Sequence, residues 1–472
     1  MAKSNADFRI EKDLLGEKKI PVDAYWGVHT GRALENYQIT GTPISRAPQL
    51  IEALAAVKWA AARANADLDV IPQNISKAIQ QACKEIISGK LHEEFVVDVI
   101  QGGAGTSTNM NANEVIANRA IEILGGQKGD YKVVHPIEHV NAAQSTNDVY
   151  PTAVKVGLIK AIKRLSDSMA QLKEAFEEKA FEFRKILKIG RTQLQDAVPM
   201  TLGQEFSTFS VMLGEDLLRL NEAISLIHEI NLGATAIGTG INTDPEYAPR
   251  VRHYLEEITG LNVITAANLI EATQDTGAFV QLSGVLKRVA CKLSKMCNDL
   301  RLLSSGPQAG FGEINLPPRA AGSSIMPGKV NPVIPEVVNQ VAFEVIGNDM
   351  TVTMASEAGQ LQLNAFEPII AWSLFKSIYH LSHACETLTK NCVVGITANE
   401  ELLARRVQES ASLATSLNPF IGYDQASEIA KAALKTGRRV SDLVLEKGLL
   451  TQEQLNEILK PEVLTQPRRI KL

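Results

Sequence analysis

The chain has 472 residues, of which 45% are hydrophobic and 21% charged, a balance typical of a soluble globular protein with a substantial core. Its net charge of −5 gives no electrostatic reason to expect nucleic acid or an anionic membrane as a partner. The first residues carry charges throughout, and no run of about eighteen apolar residues occurs. We therefore expect a cytoplasmic protein that does not contact the membrane.

The cysteines are five in number and have no Cys-x-x-Cys spacing. Most of them lie within apolar helical stretches, which favours buried free thiols in a reducing compartment over a disulfide framework. The five positions are Cys83, Cys291, Cys297, Cys385 and Cys392.

In chain order, residues 1–48 mix short apolar pieces with turn residues and predict a small irregular or β-containing segment. Helical periodicity begins at Leu50 and recurs near 75–88 and 106–123. Five longer apolar stripes follow, at 158–176, 206–230, 279–303, 337–354 and 369–388. After Asn399 the helical patterns become short again, at 399–409, 423–435 and 440–446.

The five long stripes, each about twice as long as an ordinary globular helix, predict an all-α fold built as a long-helix bundle. Because the stripes are wide and rich in alanine, we expect burial on more than one side and hence association of subunits. The pattern divides the chain into an N-terminal domain (1–144), a central helical-bundle domain (145–397) and a small C-terminal helical domain (398–472).

A loop rich in glycine and proline, Gly322–Pro332, has the sequence GSSIMPGKVNP and ends an irregular stretch of more than about twenty residues. A phosphate-binding P-loop would need four residues between its glycines and a Ser or Thr after the lysine. Here five residues separate Gly322 from Gly328, and Val330 follows the lysine, so that alternative fails. We interpret this loop as a catalytic lid.

Three further polar clusters are predicted at loop–helix junctions, where backbone N–H groups and the helix dipole suit anions. They are Gly103–Asn111, Gln144–Asp148 and Gly190–Asp196. Their donors are mostly neutral, with Lys329 and Arg191 as candidate cations. A single cluster of this kind would be interpreted as a helix cap. Four clusters together, including the lid, favour a site for carboxylates.

The lid sequence resembles the signature of the aspartase/fumarase superfamily, whose members eliminate fumarate from a substituted succinate, and the resemblance covers essentially the whole chain. It implies a central five-helix domain that forms a twenty-helix core in a homotetramer. It also implies active sites shared between chains, with Thr146, Thr192 and Ser323 contributed by three different subunits.

The resemblance also implies roles for the polar side chains, in a reaction that makes a dianion and needs several preorganised donors. Ser323 on the lid would be the base, acting as an alkoxide that backbone amides must stabilise. Donors to the developing charge would be Thr106, Ser145, Thr146 and Ser324. The other carboxylate would be held by Lys329 and Asn331, with Thr192 nearby. The leaving group would contact Asn147 and Gln193.

Gln193 stands where fumarases and some aspartases carry histidine, while the glutamate that partners that histidine is retained as Glu336. A neutral amide transfers protons poorly, so it suits an ammonium leaving group better than water. The sequence therefore favours reversible deamination of L-aspartate to fumarate. The alternative is a class II fumarate hydratase. Argininosuccinate or adenylosuccinate lyases and an inactive scaffold protein fit the motifs less well.

No metal site is predicted, although His135 and His139 have the i, i+4 spacing of a ligand pair. Pro136 at a helix start and the lack of a third acidic or thiol ligand favour a structural role for both. The resemblance implies that no organic cofactor is required. It leaves Mg²⁺ as an activator, as in some aspartases, without locating a site.

Overall fold

In the computed structural model, which describes residues 8–467, helices dominate and the strands form only two-stranded sheets. The strands are β1 (Phe8–Asp13), β2 (Gly16–Pro21), β3 (Leu187–Thr192), β4 (Gln195–Thr201), β5 (Glu229–Ile230), β6 (Ile264–Thr265), β7 (Ile314–Asn315) and β8 (Thr397–Ala398). The pairs β1–β2, β3–β4 and β7–β8 are antiparallel, whereas β5–β6 is parallel. The N-terminal β-containing segment is thus confirmed.

The first helices are α1 (Val28–Asn36), α2 (Pro48–Asp67), α3 (Gln73–Ile87), α4 (Thr106–Ile123), α5 (Thr146–Glu182), α6 (Leu202–Ile227), α7 (Tyr247–Thr259) and α8 (Leu269–Ala272). Helix α5 is much longer than the others in this group. The later helices are α9 (Gly277–Leu303), α10 (Val333–Glu357), α11 (Glu367–Asn391), α12 (Glu400–Glu409), α13 (Leu413–Ile421), α14 (Tyr423–Thr436), α15 (Val440–Glu446), α16 (Gln452–Ile458) and α17 (Pro461–Leu464).

Each of the five predicted stripes corresponds to one long helix: α5, α6, α9, α10 and α11. The all-α fold class is confirmed. At 37 residues, α5 is much longer than the predicted stripe at 158–176, because it already begins at Thr146, and it carries Pro151 inside it. Pro151 has no amide hydrogen to donate to the carbonyl of Asn147, four residues earlier, and that carbonyl accepts instead from Nδ2 of Asn231 at 3.0 Å.

Contacts divide the chain into two compact units that alternate along the sequence. The first comprises Met1–Ser166, Leu218–Arg288 and Glu344–Leu381; the second comprises Asp167–Leu217, Val289–Phe343 and Ser382–Leu472. The three-domain division at residues 144/145 and 397/398 stays a prediction.

In the first unit, α2 packs against α3, α4 and α7. Its alanines, including Ala53, Ala60 and Ala64, are fully buried, and their small side chains let neighbouring helices approach closely. The carboxylate of Glu114, on α4, accepts hydrogen bonds from the amides of Gly27, His29 and Thr30 at the start of α1. These contacts fix α4, which carries part of the site described below.

In the second unit, the β3–β4 hairpin packs against α12 and α13. The short C-terminal helices enclose their own apolar core around Leu417, Ile429, Val440 and Leu455. The predicted C-terminal run of small helices is present, with α13, α16 and α17 in addition to the three that periodicity indicated.

All five cysteines are free, as expected. Four of them are buried, but Cys291 on α9 is exposed, so the prediction of burial is wrong for that residue. It lies on the outward side of its helix in this chain. No helix within residues 8–467 is both long enough and apolar enough to span a bilayer.

Candidate active site

The start of α5 is closed by a reciprocal cap. The Oγ of Ser145 accepts a hydrogen bond from the amide of Asn147 at 3.2 Å, and Oδ1 of Asp148 accepts one from the amide of Ser145 at 3.0 Å. Each side chain thereby satisfies an amide that the helix leaves unpaired. The Ser145–Thr146–Asn147 segment is held rigidly, and the predicted loop–helix junction is present.

Asp148 also ties this cap to the 231–236 loop. Its Oδ2 accepts hydrogen bonds from the amides of Gly233 and Thr235, both at 3.0 Å, and its side chain is fully buried. Burial raises the pKa of Asp148 to about 6, because the loss of hydration outweighs the hydrogen bonds from the backbone amides.

Asn147 is fastened to the same loop. Its Nδ2 donates to the carbonyl of Ala236 at 2.7 Å, and its own carbonyl accepts a hydrogen bond from Nδ2 of Asn231 at 3.0 Å. One of its two amide hydrogens is therefore used within the chain, while its Oδ1 can accept from a ligand.

Beneath this helix start lies a network of buried polar side chains centred on Asn141. Its Oδ1 accepts hydrogen bonds from Nζ of Lys58 at 2.8 Å and from Nδ2 of Asn109 and Asn113, both at 3.1 Å. Nδ2 of Asn109 also donates to Oγ1 of Thr146 at 3.2 Å. Burial lowers the pKa of Lys58 to about 7.

Thr106, the first residue of α4, follows a turn with a left-handed backbone. Gly103, Ala104 and Gly105 have φ of 87°, 54° and 92°. A side chain at Gly105 would also approach the ring of Tyr150 to 2.5 Å, so only glycine fits there. The Thr106 hydroxyl donates to the carbonyl of Gly103 at 2.7 Å, so its hydrogen is engaged within the chain.

The lid is a loop closed on itself. The amide of Gly322 donates to the carbonyl of Lys329 at 2.8 Å, and Nδ2 of Asn331 donates to the carbonyl of Gly322 at 2.8 Å. A Cβ at Gly322 would stand 2.4 Å from that Lys329 oxygen. The loop surrounds a hollow of about 570 Å³, and most of its side chains are exposed.

Ser323 lies at the head of this loop with two backbone amides directed at its hydroxyl. Its Oγ accepts from the amides of Ile325 at 3.2 Å and Met326 at 3.0 Å. Such donors stabilise an oxygen anion more than they stabilise a neutral hydroxyl. This is the stabilisation that the sequence required of the backbone if the serine is to act as a base.

Thr192 and Gln193 lie on a β-hairpin, so the prediction of a loop–helix junction at Gly190–Asp196 is wrong. Thr192 pairs with Gln195, which leaves a two-residue turn formed by Gln193 and Leu194. Both have positive φ, 56° and 63°, as a tight hairpin turn of right-handed twist requires. Asn-Gly is the usual sequence there, and strained non-glycine residues occur preferentially at functional sites.

Arg191 is not a free cation for an anionic ligand, contrary to the sequence interpretation. Its Nη2 contacts Oε1 of the buried Glu313 at 2.6 Å, and Lys188 contacts the other oxygen at 2.7 Å. Burial acts to raise the pKa of Glu313, but the hydrogen bonds and charges of Arg191 and Lys188 outweigh it, and the pKa is lowered. This ion-pair network anchors the hairpin.

The predicted site residues thus form two groups, one in each unit. In the first unit the structure brings together Ser145, Thr146 and Asn147, with Thr106 at the start of a second helix. The second unit contains Thr192 and Gln193 on the hairpin and Ser323, Ser324, Lys329 and Asn331 on the lid. Their roles stay predictions.

The two histidines act as local caps. Nδ1 of His135 accepts from the amides of Ile137 and Glu138, at 3.2 and 3.1 Å, at the start of a π-helical turn, Pro136–Val140. Nδ1 of His139 accepts from the amide of His135 at 2.9 Å. Each ring therefore stabilises the backbone of this turn.

Sequence reasoning missed Lys58, Asn113 and Asn141, and it included Asn109 in the Gly103–Asn111 cluster without assigning it a role. A signal was present, because Lys58 is the one charged residue from Ala53 to Ala62 in α2, and Asn109 and Asn113 share one face of α4. Buried polar residues of this kind need partners. Periodicity did not reveal that Lys58, Asn109 and Asn113 all converge on Oδ1 of Asn141.

The fold agrees with comparisons to known proteins. The chain belongs to the lyase family: a family model described as "Lyase" matches residues 16–347, and one described as "Fumarase C C-terminus" matches residues 413–466. The resemblance to the aspartase/fumarase superfamily is confirmed.

Individual relatives show which members of the family the chain is similar to. An aspartate ammonia-lyase from Pseudomonas aeruginosa is 58% identical over 468 residues, covering 99% of both chains. A structure described as fumarate lyase:delta crystallin from Brucella melitensis bound to cobalt is 54% identical, with TM-score 0.95, covering 98% of this chain and 100% of that one. A class II fumarase structure from Schistosoma mansoni is 34% identical, with TM-score 0.88, covering 96% and 98%.

Proposed function

We propose that the chain is an aspartate ammonia-lyase, which converts L-aspartate reversibly into fumarate and ammonia. The observation that carries this proposal is the geometry of Ser323, whose Oγ accepts two backbone amides on a glycine-rich lid. The relatives named aspartate ammonia-lyase, 57% or 58% identical over almost the full length, support the choice of substrate.

In this reaction the Ser323 alkoxide takes a proton from the β-carbon of aspartate, and the electron pair moves onto the adjacent carboxylate to give an aci-carboxylate dianion. The amides of Ile325 and Met326 lower the free energy of the alkoxide before the proton is taken. The pair then forms the carbon–carbon double bond as the α-carbon–nitrogen bond breaks. Ammonia leaves, and Ser323 returns its proton to solvent.

The dianion needs donors to two oxygens, and losing one such donor costs roughly 10²–10³ in rate. Four hydroxyls are assigned to it: Thr106, Ser145, Thr146 and Ser324. The reciprocal cap and Asp148 keep the segment that contains two of these hydroxyls from reorganising during the reaction. Lys329 and Asn331, with Thr192, are assigned to the other carboxylate.

Gln193 and Asn147 are assigned to the leaving group. The strained turn presents Gln193 at the tip of the hairpin, and the Oδ1 atom of Asn147 can accept from an ammonium. An amide holds ammonium by hydrogen bonding, but it cannot deliver or remove the proton that hydration of fumarate requires. The fumarate hydratase alternative is therefore less well supported.

The assay that tests the function follows fumarate by its ultraviolet absorbance, with purified protein and either L-aspartate or L-malate as substrate. We expect fumarate from aspartate and almost none from malate. A kcat/KM on malate comparable to that on aspartate would replace the proposal with fumarate hydratase. No fumarate from either substrate would refute both.

We also propose that no organic cofactor is needed and that Mg²⁺, if it acts at all, is an activator. Within residues 8–467 no three His, Cys, Asp or Glu side chains are grouped so that they could share an ion. No step is assigned to the metal. Activity after exhaustive treatment with EDTA, with and without added Mg²⁺, tests this: abolished activity would refute it.

We further propose a homotetramer located in the cytoplasm. One face of α10 exposes Phe343, Ile346, Met350 and Met354, at spacings of three or four residues, and α6 exposes Leu218. Apolar stripes of this length require a partner surface. Light scattering during gel filtration should give four times the chain mass; a monomer would contradict the proposal. Cell fractionation tests the location, which the free cysteines favour.

Shared active sites can be tested by subunit exchange between two variants, Ser323→Ala and Thr192→Val, each expected to be inactive. If a site takes these residues from different chains, refolding a 1:1 mixture should restore activity at about a quarter of the sites, by random assortment. Separately refolded variants, mixed afterwards, are the control. Hybrid tetramers without recovered activity would show that each site is built within one chain.

A further inference from the structure

The hydrogen bonds of the Asn141 side chain fix the orientation of its amide group. Its Nδ2 donates to the carbonyl of Gln144 at 3.2 Å, so its Oδ1 must be the atom that faces Lys58, Asn109 and Asn113. Lysine and amide groups facing this oxygen can only donate to it. The orientation of each of these groups is therefore fixed.

Asn109 is fixed in turn. Because it must present its Nδ2 to Asn141, its second amide hydrogen is directed at Oγ1 of Thr146, 3.2 Å away. Asn109 is 2% exposed, so this arrangement is shielded from water. The threonine oxygen thus acts as acceptor towards the interior of the unit.

The hydroxyl hydrogen of Thr146 must then point away from Asn109. Among residues 8–467 the structure gives it no acceptor, although the side chain is only 9% exposed. A hydroxyl that already accepts on its inner side is prepared to donate on its outer side. A buried donor without a partner normally implies a missing one, here a ligand with an acceptor oxygen.

We infer that Asn109 is a positioning residue, which fixes the Thr146 hydroxyl as a hydrogen-bond donor to a substrate carboxylate. Asn141 and Lys58 act through Asn109 by holding its amide in place. This inference rests on the proposed function, in which Thr146 binds that carboxylate. Without Asn109, the Thr146 hydroxyl could rotate and present its oxygen to the carboxylate, acceptor to acceptor, which repels rather than binds.

Asn113 offers a matched control. It is buried on the same helix four residues later and donates to the same Oδ1 of Asn141 at the same 3.1 Å, but it has no bond to Thr146. Asn109→Leu and Asn113→Leu each remove one donor from Asn141. Only Asn109→Leu releases the Thr146 hydroxyl.

The experiment measures kcat and KM for release of fumarate from L-aspartate. We expect Asn109→Leu to lower kcat/KM about tenfold or more below Asn113→Leu, the scale of one oriented hydrogen bond. Equal losses in the two variants would overturn the inference. If either leucine variant does not fold, judged by circular dichroism and tetramer mass, Asn109→Ala and Asn113→Ala make the same comparison.

A double-mutant cycle with Thr146→Val provides a readout that a purely structural role would not change. In the Thr146→Val background there is no hydroxyl to orient, so Asn109→Leu should cost less than about twofold. Thr146→Ser keeps the hydroxyl and should keep the full effect. Additive losses would overturn the inference. A wild type that releases no fumarate from aspartate would refute the proposed function, whereas an active wild type with additive losses would refute only the role of Asn109.

Discussion

The start of α5 and the lid have opposite physical designs, although both carry residues assigned to the same reaction. At the α5 start, Asp148 is fully buried, and each of its oxygens accepts from backbone amides. On the lid, Ile325 is 83% exposed, and the loop is closed mainly by the hydrogen bonds of Gly322 and Asn331. The α5 start is fixed by several surrounding segments, whereas among residues 8–467 the lid is held mainly by hydrogen bonds within its own loop.

This difference separates two requirements of the chemistry. Donors that stabilise a developing charge work best when they need no reorganisation, so they belong on a buried, capped helix start. A base that must reach the substrate and exclude water belongs on a segment that can close over it. Substitutions at the α5 start should therefore change stability and rate together, whereas substitutions on the lid should change rate alone.

The largest effect is expected on the lid, where kcat should fall while stability stays unchanged. Ser323→Ala should lower kcat by about a thousandfold or more, because no neighbouring group replaces the alkoxide, while the melting temperature stays within about 1 °C. Steady-state kinetics and thermal denaturation measure both quantities. If the variant keeps more than about a tenth of wild-type kcat, another residue is the base.

At the α5 start, the free energy of unfolding and kcat should change together. In Asp148→Asn an amide NH₂ replaces one carboxylate oxygen and faces a buried backbone N–H group, so we expect about 3 kcal/mol lower free energy of unfolding at pH 8, and a lower kcat.

Asp98→Asn is the control, because Asp98 also accepts from several backbone amides, those of Thr40, Gly41 and Ile100, but lies outside the α5 cap. It should lose stability and keep its kcat. Chemical denaturation and initial rates measure the two effects, and an Asp148→Asn variant with unchanged kcat would contradict the comparison.

A smaller effect concerns pH and Lys58. The folded chain holds the pKa of this lysine near 7, against 10.5 when unfolded, so between these values the unfolded state binds a proton that the folded state does not. The free energy of unfolding should therefore rise with pH in this window. From pH 7 to 9, wild type should gain about 2 kcal/mol relative to Lys58→Met.

Lys77, on the exposed side of α3, supplies the matched variant for that measurement. Lys77→Met should follow the wild-type curve across the whole range. Asp148 and Cys83 lie close enough to influence the charge of Lys58. The pH dependence of the free energy of unfolding is therefore compared between wild type and variants, because the wild-type curve alone would not isolate the contribution of Lys58. Parallel curves for wild type and Lys58→Met would show that the lysine titrates normally.

Sequence patterns predicted the elements that depend on local periodicity. The stripe from Leu158 to Phe176 and its four counterparts each became a long helix, and the glycines and prolines between Gly310 and Pro332 correctly indicated an irregular segment. The start of α4 at Thr106 was also predicted, and α5 begins within the predicted Gln144–Asp148 junction.

The sequence could not predict what depends on partners far along the chain. Arg191 is paired with Glu313, which is 122 residues away, so its availability to a ligand cannot be judged from its neighbours. The turn at Gln193 lacks the Asn-Gly pair that identifies tight hairpins, and the hairpin was missed for that reason. The convergence of Lys58 and Asn109 on Asn141 likewise requires three separate segments to be folded first.

The alternation of the two compact units has a consequence for synthesis on the ribosome. The first unit is complete only when Leu381 has been added, and the second needs the final segment from Ser382 to Leu472. Since domains generally fold as units from the N-terminus, neither can finish while most of the chain is still being made. Nascent chains that stop before Glu344 would lack the last segment of the first unit and would leave exposed the apolar residues that this segment covers.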